Sequence, residues 1–203
     1  MNIFLQGLTM GLAYVAPIGM QNLFVINSAL TNKRKRALLT ALIVIFFDIT
    51  LSLACFFGIG TIMQRFKWLQ MVILCVGSLI VIYIGISLLR AKTQDLEKDQ
   101  PTMSIKKTIS SACVVTWFNP QAIIDGTMML GAFHVTLAAG QETPFITGVA
   151  CASFSWFIGL TFLISLISSK FNAKVMRWIN IVCGVIIIGY GLKLFVSFVQ
   201  MLL

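Results

Sequence analysis

The charges of this chain are gathered into short clusters, and long uncharged stretches run between them. Residues 1–32 carry no acidic or basic side chain, and all fifteen Lys and Arg lie beyond them. A bilayer core about 30 Å thick needs roughly 20 apolar residues per helix. Uncharged runs bounded by charge give six such segments. Segment 1 covers about 3–29 and ends before Lys33-Arg34-Lys35-Arg36, and segment 2 covers about 38–63 with a single charge, Asp48. Segment 3 covers about 68–89. A polar linker follows at about 91–107, with Asp95, Glu97, Lys98, Asp99 and Pro101. Segment 4 covers about 108–133 and contains Pro120 and Asp125. Segments 5 and 6 cover about 144–168 and 178–202, the last with Lys193 as its only charge.

Composition agrees. The 203 residues are 59% hydrophobic and 10% charged, where soluble domains carry about 25% charged residues. Mean hydropathy is +0.97. A globule of this size has no interior large enough for so much apolar surface, so the surplus faces lipid, and no length is left for a soluble domain. The expected fold is all-α and integral to the membrane. Segment 1 lacks the basic n-region of a cleavable signal peptide and is too long for its h-region, so it is expected to remain as a span. The net charge of +9 follows membrane topology, since a nucleic-acid surface would need a solvated basic face interleaved with aromatics. Cys55, Cys75, Cys113, Cys151 and Cys183 each stand alone in an apolar run and read as packing residues.

The positive-inside rule sets an orientation. Four Lys/Arg lie in the connection between segments 1 and 2 (residues 33–36). Five lie between segments 3 and 4 (Arg90, Lys92, Lys98, Lys106, Lys107), and three between 5 and 6 (Lys170, Lys174, Arg177), twelve in all. The other side has Arg65 and Lys67, with Lys193 able to snorkel toward it. With six spans, both termini are expected outside. Three spans, a charged linker and three more spans form an inverted repeat, because an odd number per half makes the halves enter in opposite senses. Repeat one is about 1–90 and repeat two about 108–203, within one transmembrane domain. In each opening helix a proline precedes Asn or Asp by five positions: Pro17 and Asn22, then Pro120 and Asp125.

Proline removes a helical hydrogen bond, and in lipid the freed carbonyls must find partners in protein or water. Paired interruptions in two halves point to a transporter's binding site, although a plain proline kink is the simpler account of either alone. Pro17, Gly19 and Pro120 are the candidate helix-breaking residues. Gln21, Asn22 and Asn119 flank them as candidate binding groups. Asp48 and Asp125 are the sharpest signals, because a carboxylate near the bilayer centre costs roughly 2.5–3.5 kcal/mol and should face a cavity or a partner. Desolvation favours the neutral carboxyl, so both are candidates for binding a cation, a proton, or each in turn. A buried acid that only packs is the alternative. Trp156, in mid-span, reads first as a packing residue and second as pathway lining. Trp68 and Trp178 sit at span starts as interfacial anchors, and the lone His134 reads as interfacial. Gly7 and Gly11 form a small-xxx-small pattern for close helix packing. Templates for enzymes, phosphate loops and metal sites do not match, so neither an enzyme nor a cofactor is expected.

The stretch GLTMGLAYVAPIGMQNLFVINSAL with its basic cluster, then FFDITL, TWFNPQAIIDGTMMLGAF, SFSWF and RWINIVCG, resembles the lysine exporter (LysE) family and within it the lysine/arginine branch. The likeness runs over nearly the whole chain, most specifically in Thr116-Trp117-Phe118-Asn119-Pro120 with Asp125 after it. The branch usually has Gly-Pro-Gln-Asn in the first helix, where this chain has Gly19-Met20-Gln21-Asn22 and a proline earlier, at Pro17. The resemblance implies gradient-driven export of L-lysine or L-arginine from a prokaryotic plasma (inner) membrane. The partners are then a basic amino acid, protons and lipid, with a homodimer as one arrangement the sequence leaves open. Export of neutral amino acids or of divalent metal cations by the same fold are the alternatives, and a scaffold that transports nothing is disfavoured by the broken helices and buried acids.

Overall fold

The computed structural model describes residues 2–58, 66–90, 103–168 and 173–202. Most of the linker at about 91–107 lies outside the described residues, as do Arg65, Lys92, Lys98 and Lys170. All regular structure among the described residues is helical. The helices are α1 (Ile3–Val15), α2 (Met20–Thr31), α3 (Arg34–Phe56), α4 (Lys67–Arg90) and α5 (Ile105–Trp117). They continue with α6 (Pro120–Gly126), a π-helical turn at Thr127–Gly131, α7 (Ala132–Thr136), α8 (Glu142–Ser168) and α9 (Ala173–Leu202).

Among the described residues three helical stretches are long and apolar enough to cross a membrane: Arg34–Phe56, Glu142–Ile167 and Gly184–Met201. The pair α1 and α2 makes a fourth if taken as one broken span, bent by 78°. Helix α3 shows how such a helix sorts its faces. Its buried positions, Ala37, Thr40, Ala41, Val44, Ile45, Asp48, Leu51, Ser52 and Cys55, recur every three or four residues and form one inward stripe. Leu38, Leu39, Leu42 and Phe46 on its other side are exposed, an apolar face of the kind that meets lipid or a partner surface. Asp48 therefore lies in the middle of the inward stripe.

Helix α1 runs along α8, α3 packs on α8 and on α5, and α4 runs along α9. Glycine makes the closest of these contacts. A Cβ at Gly7 or Gly148 would collide with the carbonyl of Phe145 or Phe4 respectively, and one at Gly11 would come within 2.9 Å of the Val149 Cα. The small-residue pattern of α1 thus lets two helix backbones touch. Gly85, Gly184 and Gly191 do the same between α4 and α9.

Helix α2 is the hub. It contacts α3, α5, α8 and α9, and Met20, Asn22, Leu23, Phe24, Val25, Ser28, Ala29 and Leu30 are all buried. A half-helix buried on nearly every side belongs in the interior, not on the lipid face. Its core companions are Val15, Val44, Ile45, Val81, Val115 and Phe157, drawn from both halves of the chain. Near the start of α3, Arg36 donates through Nη2 to the Met103 carbonyl at 2.6 Å and to Thr108 Oγ1 at 2.7 Å. Arg34 lies over the ring of Phe162, late in α8, at 5.9 Å. Trp68 and Trp178 are 63% and 67% exposed near the starts of α4 and α9.

Candidate functional site

The first break lies at Ala16-Pro17-Ile18. The Ala16 N–H still donates to Leu12 at 2.9 Å, but Pro17 has no N–H with which to continue, and the chain restarts at Met20. The carbonyls left open are closed by a side chain from the next helix. Asn22 Nδ2 donates to the Val15 carbonyl at 3.0 Å and to the Pro17 carbonyl at 2.8 Å. Its Oδ1 accepts from Trp156 Nε1 at 2.8 Å. Every polar atom of this buried amide is thereby engaged. Gly19 caps α2 with φ −125° and ψ −170°, extended backbone that any residue can adopt. The break therefore depends on Pro17 and Asn22, and the backbone does not demand glycine at position 19.

The second break is built differently. Helix α5 ends at Trp117, Asn119 is the N-cap, and Pro120 is the first residue of α6. Proline suits that position because the first N–H groups of a helix have no internal partner. Asn119 is buried, but its side chain does not cap the helix. The π turn at Thr127–Gly131 then shifts the hydrogen-bond register. Residues from the first half of the chain reach the carbonyls of α6: Tyr14 OH donates to Ala122 at 3.3 Å, and Cys55 Sγ approaches Ile123 at 3.6 Å. Thr127 Oγ1 also donates to Ile123, at 2.7 Å. A Cβ on Gly126 would come within 2.9 Å of Cys55 Sγ, so glycine allows this approach. Trp117 ties the end of α5 to α3 by donating through Nε1 to Thr50 Oγ1 at 3.2 Å.

The two carboxyls occupy different surroundings. Asp48 is 0% exposed, and its Oδ2 accepts from Ser153 Oγ of α8 at 2.5 Å. The Gln21 amide faces the same carboxyl, yet neither Gln21 Nε2 nor Asp48 Oδ1 has a partner in hydrogen-bonding geometry, and neither does Ser52 Oγ one turn along α3. Asp125 is only half-buried and accepts from Gln121 Nε2 at 2.8 Å. Tyr14 is in electrostatic range of both. Among the described residues no Lys or Arg forms an ion pair with either carboxyl; the ion pair present is His134 with Glu142 at 3.8 Å, where the chain turns into α8. A mostly apolar cleft of about 170 Å³ lies between α3 and α8, lined by Ser52, Leu53, Thr147 and Val149 among others.

The proline-plus-five pair thus divides in the folded chain. Asn22 turns back onto its own break, whereas the Asp125 carboxyl is held by Gln121 within α6. Trp156 packs against the main core and anchors Asn22. Gln21 and Asp48 are brought together; Asn119 and Asp125 stay in the second half. Tyr14 and Ser153 carry contacts that the sequence reading did not single out, Cys55 does more than pack, and Ser52 Oγ joins the site without a partner. Ser153 does fall in the SFSWF stretch, but nothing along the chain separates it from Ser155 two residues on.

A family described as LysE type translocator matches residues 12–197. An arginine exporter protein, ArgO, of Klebsiella pneumoniae (strain 342) is 32% identical over 188 residues, covering 90% of this chain and 88% of the relative. Proteins of the same name from Salmonella schwarzengrund (strain CVM19633) and Salmonella enteritidis PT4 are each 31% identical over the same shares. These relatives are named as transporters, not enzymes. No solved structure matches the chain.

Asn22→Leu keeps the branched heavy-atom shape of the side chain but orphans two carbonyls and the Trp156 indole, at about 1–3 kcal/mol per buried group. Trp156→Phe orphans Asn22 Oδ1 alone. Thermal unfolding of the purified proteins in detergent should rank wild type above Trp156→Phe, and that above Asn22→Leu. An unchanged melting temperature in Asn22→Leu would contradict the role given to this side chain.

Proposed function

The chain belongs to the LysE type translocator family, and from that premise we propose that it exports a basic amino acid, L-arginine or L-lysine, in exchange for protons. The observation that carries the reading is the pair of carboxyls, Asp48 buried in a span-length helix and Asp125 half-buried beside the second break, neither neutralised by a Lys or Arg among the described residues. A carboxylate held out of water needs a counter-charge or a proton. A cationic substrate arriving as a proton leaves meets that need without an intermediate bearing a bare buried charge. The relatives named arginine exporters support the same substrate class. Expelling a cation from a negative cell costs about 2.3 kcal/mol per charge per 100 mV, so accumulation outside requires coupling. Two acids favour a cationic side chain over a neutral one. For a divalent metal, no group of three His, Cys, Asp or Glu converges among the described residues, whereas hard ions take six or more oxygens.

The architecture that goes with this reading has six spans in two inverted halves. In support, α4 has 24 residues and α9 has 30, enough to cross about 30 Å at 1.5 Å per residue. Two contacts pair equivalent helices: α3 with α8 and α4 with α9. Two more exchange halves: α1 on α8 and α5 on α3. The bonds from Arg36 to Met103 and Thr108 and the approach of Arg34 to Phe162 set the first basic cluster beside the start of α5 and the later part of α8, which supports a shared end for the basic connections. That end is the cytoplasmic one, with both termini outside, in the prokaryotic inner membrane. A reporter active only in the cytoplasm should stay silent when fused to either terminus; signal from one of them would overturn the orientation.

Asp125→Asn keeps the size of the side chain and removes its charge. Cells preloaded with labelled arginine should lose efflux through this variant by tenfold or more, with membrane expression near that of wild type. Efflux at the wild-type rate would make Asp125 a packing residue.

A further inference from the structure

Three polar atoms around Asp48 are buried and unpartnered: Asp48 Oδ1, Ser52 Oγ and Gln21 Nε2. Asp48 and Ser52 are 0% and 2% exposed. Buried polar groups are nearly always bonded, and each orphan costs about 1–3 kcal/mol. Three in one place imply a partner that comes and goes. The set is mixed in sense: a carboxylate oxygen accepts, an amide N–H donates, and a hydroxyl does either. A proton or a bare cation would satisfy Asp48 and leave the donor of Gln21 still orphaned. A group presenting a cation and an anion side by side would satisfy all three.

Gln21 lies in the first turn of α2, which opens at the break with no side-chain cap on Gly19. First-turn N–H groups have no partner within their helix and favour an anion. At Gly19 an added Cβ would meet only the Pro17 carbonyl, at 3.9 Å. Neither the backbone nor a neighbour requires glycine there, and its effect is to leave space beside the open end of α2.

We propose that this site holds the amino-acid backbone of the substrate and not its side chain: the α-carboxylate at the first turn of α2 with Gln21 Nε2, the α-ammonium on Asp48 Oδ1 with Ser52 Oγ. Asp125, which shares the electrostatic range of Tyr14 with Asp48, is then left for the side-chain cation. The division rests on the reading of the protein as an amino-acid exporter and adds to it. Asp48 recognises any free amino acid, and Asp125 selects the basic ones. In the present conformation Asp48 is closed from solvent, so loading follows an opening of the helices around it.

The test uses the purified full-length protein and displacement of labelled arginine by three ligands. These are arginine, agmatine (the same molecule without its carboxylate) and citrulline (the same backbone with an uncharged side chain). Agmatine should displace at least tenfold more weakly than arginine. Gln21→Leu should weaken arginine by tenfold or more and agmatine hardly at all, erasing the preference. For variants that no longer hold the label, ligand-induced shifts in melting temperature give the same comparison. Asp48→Asn should weaken arginine and citrulline alike, whereas Asp125→Asn should weaken arginine and spare citrulline. A melting temperature near wild type in Gln21→Leu, which only removes an orphaned amide, shows that the loss is not misfolding. Agmatine binding as tightly as arginine, or Asp48→Asn sparing citrulline, would overturn the division and leave amino-acid export standing. A wild-type protein that binds neither arginine nor citrulline would sink the export reading itself.

Discussion

The Asn22 side chain closes a helix that has been opened where water is scarce. Two carbonyls at the end of α1 would otherwise face the interior unbonded, and the amide reaches back from α2 to take both. Trp156 then fixes the amide from α8. With that staple in place the chain turns by 78° at no cost in lost backbone bonds beyond what proline imposes. The turn drives α2 into the centre of the helices, where it meets α3, α5, α8 and α9. It also carries Gln21 to Asp48. Both the core and the polar site follow from one satisfied amide.

The second break is closed both from its own segment, by Thr127 Oγ1 on the Ile123 carbonyl at 2.7 Å, and from across the fold. Its carbonyls at Ala122 and Ile123 take their inter-helix partners from the first half of the chain, Tyr14 and Cys55, at 3.3 and 3.6 Å. Bonds of this length, one of them from a thiol, are weak. The first break is thus closed by one amide from the next helix, whereas the second shares its closure between a short local bond and two longer contacts from the first half of the chain.

Much of this was legible along the chain. The spacing of charges located the apolar helices, and Pro17 and Pro120 marked both interruptions within a few residues. The inward position of Asp48 follows from its place in the three-and-four stripe of α3. What could not be read was the partner of each polar residue. Pro17-to-Asn22 and Pro120-to-Asp125 look alike in sequence, yet the first amide folds back on its own break and the second carboxyl does not, because that depends on what α8 supplies opposite. Ser153 meets Asp48 across 105 residues of chain, and Tyr14 reaches the second break across 108. Such pairings come from helix packing, which leaves no mark in local periodicity. The π turn also went unseen, since it arises where Gly126 and Gly131 admit Cys55. Gly19 was read as a breaker of the helix, and the structure gives it space rather than strain.

Outward movement of a basic amino acid through this chain, coupled to inward movement of protons, is the property to measure. Inverted membrane vesicles from cells expressing the protein, with an acidic lumen imposed, measure it directly. Labelled arginine or lysine should accumulate in the lumen above its outside concentration, and a protonophore should release it. Equal uptake with and without the proton gradient, or none above vesicles lacking the protein, would contradict the central claim.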